Sequence, residues 1–75
     1  MPDPKKTLLD CIQDRYVAAV REDVQAAQRG DTSQRAYTCG ASDALRGVLM
    51  DAGLSTDEME ALRQRGIDAA RRTIP

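Results

Sequence analysis

Arg29-Gly30-Asp31-Thr32-Ser33-Gln34 joins two long stretches of helical periodicity across almost no linker. Gly30 sits where a helix-terminating glycine belongs, because the left-handed backbone that closes a helix costs glycine nothing. Asp31 follows at once as a helix N-cap, with Gln34 three residues on in the capping-box pattern. A two-residue connection between long helices allows only an antiparallel hairpin. Folding about Gly30-Asp31 pairs residues whose numbers sum to 61, as 30 and 31 do. The apolar rows then meet in register: Ile12 with Leu49, Tyr16 with Leu45, Val20 with Ala41, and Val24 with Tyr37.

Asp3-Pro4 supplies an N-cap and a first-turn proline, and no Gly or Pro interrupts the chain from there to Arg29. Leu8, Leu9, Ile12, Tyr16, Val20, Val24 and Ala27 recur at helical spacing, which predicts a first helix over 4–29. Tyr37, Ala41, Ala44, Leu45, Val48, Leu49 and Ala52 mark a second over 32–52, ending at Gly53. Ser55-Thr56-Asp57-Glu58 is a second capping-box signature and opens a third helix over 56–72. Arg71 and Arg72 sit at its C-terminal end, as the helix dipole favours. No period-two alternation occurs, so the expected fold is all-α: a helical hairpin plus one helix in a small bundle, residues 1–75 forming one domain.

Seventy-five residues bury only about 60% of the surface of their unfolded chain. Here eleven residues are Ala and none is Phe or Trp, so the core is thin and a second copy is expected to thicken it. The net charge of −1 removes the bulk electrostatic case for a nucleic-acid or anionic-membrane binder. No His and two Cys leave a zinc site almost nothing to use. Cys11 and Cys39 fall about eleven residues of helical rise apart in the hairpin register, far beyond disulfide reach. No charge-free window approaches the roughly 18 residues of a membrane span, and no signal-peptide pattern follows Lys5-Lys6. The reading is therefore a cytoplasmic protein.

Catalysis lacks its usual means. There is no His to act as general base, both cysteines sit in mid-helix, and the five glycines are scattered singly, so no phosphate loop exists. The expectation is no enzyme, no cofactor and no metal. Two other features stand out. Helix two carries a stripe of Ala36, Gly40 and Ala44, with Gly47 nearby, although a mid-helix glycine costs about 1 kcal/mol against alanine. Either another helix of the chain approaches closely there, or the stripe is a dimer face, with Gly40, Ala44, Gly47, Val48 and Leu54 as packing residues. The start of helix three gathers Asp57, Glu58 and Glu60, the densest cluster of one sign. These carboxylates complement the helix dipole and are also the candidate contacts to a basic patch on a partner.

Leu49 to Leu62, with a turn Gly53, then Leu54, Ser55 and an apolar Met59, resembles the core spacing of the DNA-binding helix-turn-helix family. That resemblance implies a DNA-binding regulator reading its site through helix three, with Arg63 and Arg65 as contacts. It departs from the family at Leu49, where a small residue usually lets the helices cross, and in its three early carboxylates. In class, the chain looks like the small helical adaptors and inhibitors of phages and mobile elements, which block a host machine such as a CRISPR effector. The leading expectation is a non-enzymatic protein–protein interaction module working as a homodimer, and the alternative is the DNA-binding regulator.

Overall fold

The computed structural model describes residues 7–72. Three helices fill them: α1 (Leu8–Arg29), α2 (Thr32–Asp51) and α3 (Thr56–Arg72), with no strand among the described residues. Each start is chemically explicit. Thr7 adopts extended backbone, its hydroxyl accepts from Asp10 N–H at 3.1 Å, and Thr7 N–H donates to Asp10 Oδ2 at 3.1 Å. This reciprocal cap starts α1 at Leu8 instead of the expected residue 4, and Asp3-Pro4 lies outside the described residues. Asp31 Oδ1 accepts from Gln34 N–H at 3.0 Å and starts α2. Ser55 and Glu58 form the corresponding box for α3, with both bonds at 3.1 Å.

The ends use one device twice. Gly30, at φ 71°, donates to Ala27 O while Asp31 N–H reaches back to Ala26 O. Gly53 donates to Met50 O while Leu54 N–H reaches Leu49 O. Both are Schellman closures, which satisfy carbonyls that a helix end would otherwise leave bare. In the second, Leu54 also packs against the core cluster that contains Leu49, the apolar contact such closures favour. The Gly-Leu spacing behind the helix-turn-helix resemblance is thus also what ending α2 requires.

The hairpin forms in the expected register. Thr38, 1% exposed, donates its hydroxyl to Asp23 Oδ1 at 3.1 Å, and 23 and 38 sum to 61. The hydroxyl also lies 3.0 Å from Gln34 O, so its one proton is shared between the neighbouring helix and its own. The rotational phase of α2 differs from the expectation, however. Tyr37 is 72% exposed and forms no core layer with Val24. Gln34, Thr38, Ala41, Leu45 and Leu49 turn inward in its place, and the one three-residue step among fours follows the helix more faithfully than a strict four-residue row. Burying Thr38 is tolerable because Asp23 satisfies it.

Tyr16, Val20, Leu49, Met59 and Leu62 form the core, with Leu9, Ile12, Val17, Leu45, Leu54 and Ile67 packed against them. α1 is the central element: α2 and α3 both pack on it and touch one another little. Close approach within the chain, one of the two readings of the stripe at Gly40 and Gly47, occurs elsewhere. Nothing lies within 4 Å of where a Cβ would sit on either glycine. At Gly66 of α3 that position lies 2.7 Å from Val20 Cβ and 2.8 Å from the Val17 carbonyl oxygen. The missing side chain lets α3 lie directly on the backbone of α1.

Candidate functional site

The three expected carboxylates have different local partners. Glu58 is engaged by Ser55, whose backbone N–H donates to its carboxylate and, with the Ser55 hydroxyl beside it, holds the carboxyl below the ordinary value of 4.5. Glu60 leans on Arg63 at 3.4 Å, and Asp57 is exposed in the first turn. A depressed carboxyl pKa means that the cap's contribution to stability is complete above pH 4.5 and is lost as pH falls through the lower folded-state value. Followed by NMR, the Glu58 carboxyl carbon should titrate with a midpoint below 4.5, with the Ser55 amide moving alongside; a midpoint at or above 4.5 would contradict the cap.

Of the five expected packing residues, Leu54 is half-buried against the core, while Gly40, Ala44, Gly47 and Val48 share the outer face of α2. At about 100° per residue, these four together with Ala36 and Tyr37 occupy an arc of about 120° opposite Thr38 and Leu49. All six are exposed and none is charged. Tyr37 and Val48, 72% and 48% exposed, stand at opposite ends of a shallow trough of glycine and alanine. Solvating that face has no benefit to a lone chain, and two mid-helix glycines make α2 less stable.

A second surface has no signature in the sequence. Because α2 and α3 diverge over α1, a cleft of about 320 Å³ opens between them. Val20, Val24, Met59 and Ile67 line it together with Tyr16, among polar side chains that include Asp23, Ser42 and Thr56. Its rims carry Asp43 and Arg46 from α2, and Glu60 and Arg63 from α3. Tyr16 is only 4% exposed, and burial pushes its phenol above the ordinary value of 10.0, while Arg46 and then Arg63 pull it down. Only the divergence of α2 from α3 creates this cleft, and no periodicity announces that divergence.

Among the described residues, no three His, Cys, Asp or Glu side chains gather as a metal site, and no helix is long and apolar enough to cross a membrane. Cys11 and Cys39 are free and exposed. The chain matches no protein-family model, no curated protein and no solved structure.

Proposed function

We propose that this chain is a non-enzymatic protein–protein interaction module, a small helical adaptor or inhibitor of the cytoplasm that works as a homodimer paired through α2. The observation behind this reading is the outer face of α2, which carries no charge from Ala36 to Val48. A second copy fits it by the face's own pattern. With two antiparallel α2 helices pivoting at Ser42, Tyr37 lies opposite Gly47, Val48 opposite Ala36, and Gly40 opposite Ala44. Each large side chain then meets a small one, as a two-fold interface requires of a single patch. Small residues at the crossing also let two helix backbones come close. The free, exposed thiols of Cys11 and Cys39 suit a reducing compartment.

Sedimentation tests the pairing. The wild-type chain should pass from monomer to dimer as its concentration rises to high micromolar, and Ala44→Glu should remain a monomer with unchanged helix content. Gly40→Ala separates the pairing from folding. Its added Cβ has open space in a lone chain, so the monomer should gain about 0.8–1 kcal/mol of stability while dimerisation weakens. A wild-type chain that stays monomeric throughout would refute the dimer.

A further inference from the structure

The Tyr16 hydroxyl makes no hydrogen bond among the described residues. No buried side-chain polar atom there lacks a partner, so this oxygen must be the small part of Tyr16 that solvent still reaches. The surface it borders is the cleft between α2 and α3. A largely buried phenol whose solvent-reached hydroxyl borders a cavity with apolar side chains beside it offers a donor that a ligand can use.

The charges around it narrow the ligand's chemistry. Of the charged groups, Arg46 has the largest influence on the phenol. Arg63 is held by Glu60 at 3.4 Å and so serves as a rim charge. A carboxylate can accept from the Tyr16 hydroxyl and the Arg46 guanidinium together, both charge-assisted bonds. Asp43 and Glu60 on the same rims would repel a second negative charge. Asp23, also on the wall, already accepts from Thr38. The volume of about 320 Å³ stands at the low end for ligand pockets, too small to enclose a nucleotide-sized cofactor.

We propose that this cleft binds a monocarboxylate carried on a compact apolar body, its carboxylate held by Tyr16 and Arg46 and its body lying on Val20, Val24, Met59 and Ile67. The site is separate from the outer face of α2 and does not depend on α2 pairing.

Titration of the full chain with hexanoate, followed through backbone amide shifts, tests the proposal. Saturable shifts should appear in residues around the cleft. Hexanol and hexylamine should bind at least about tenfold more weakly, and so should the dicarboxylate adipate. Arg46→Gln should weaken hexanoate by about tenfold or more, and Tyr16→Phe by a similar factor, while Arg35→Gln, an exposed arginine of α2 outside the cleft, changes nothing. Arg46 is exposed, so its substitution decides the matter even if Tyr16→Phe disturbs the core. No saturable binding of hexanoate, equal binding of hexanoate and hexanol, or an Arg46→Gln variant within about twofold of wild type would overturn the site.

Discussion

Gly66→Ala is expected to destabilise the protein by about 1–3 kcal/mol, although alanine is the better helix former. The new methyl group would meet Val20 Cβ at 2.7 Å and the Val17 carbonyl oxygen at 2.8 Å. Neither is the far end of a flexible side chain, so α3 must lift off α1. That movement loosens the packing of Met59 and Leu62, which contribute two of the five core residues. Urea denaturation measures it. Comparison with Gly40→Ala makes the test sharp, because the same substitution should carry opposite signs on α3 and on α2. Equal effects at both positions would show that α3 does not lie on α1 as described.

Leu49→Ala should have the larger effect, a loss of about 2–5 kcal/mol. Leu49 is fully buried, belongs to the core cluster, and provides through its carbonyl the acceptor that closes α2. Removing its side chain leaves a hole where no Phe or Trp is present to fill in. A chain of this length has only about 4–11 kcal/mol of stability in total, so the variant should be substantially unfolded at physiological temperature. Circular dichroism would read this directly. A variant that melts within a few degrees of wild type would mean that the hairpin core lies elsewhere.

The residues at the helix ends were legible because their chemistry is local. Gly30, Gly53, Asp31 and Ser55 each satisfy backbone groups a few residues away, and each does so where expected. The hairpin register was legible for the same reason: a two-residue connection leaves little else possible. Phase was not. Tyr37 is the larger apolar side chain and draws a four-residue row toward itself, whereas the helix turns Thr38 inward and Asp23 makes that tolerable. Two mid-helix glycines in α2 allow either a close approach within the chain or a dimer face, and it is a single glycine in the charged α3 that meets another helix of the chain. How α3 sits on α1 depends on contacts between residues some fifty positions apart, which no local pattern encodes. The cleft over Tyr16 follows from that placement and was invisible for the same reason.

The most direct test of the α2-paired dimer is a distance across it. With Cys11→Ser, a nitroxide label on the exposed Cys39 reports from the border of the outer face without lying in it. Pivoting at Ser42 puts the two copies of Cys39 about 9 Å apart along helices whose axes lie about 8–10 Å from one another. Pulsed electron spin resonance should therefore show one short distance, on the order of 15–25 Å with the label arms included, and Ala44→Glu should abolish it. The featureless decay of isolated monomers in the wild-type background, or a distance that survives Ala44→Glu, would contradict pairing through α2.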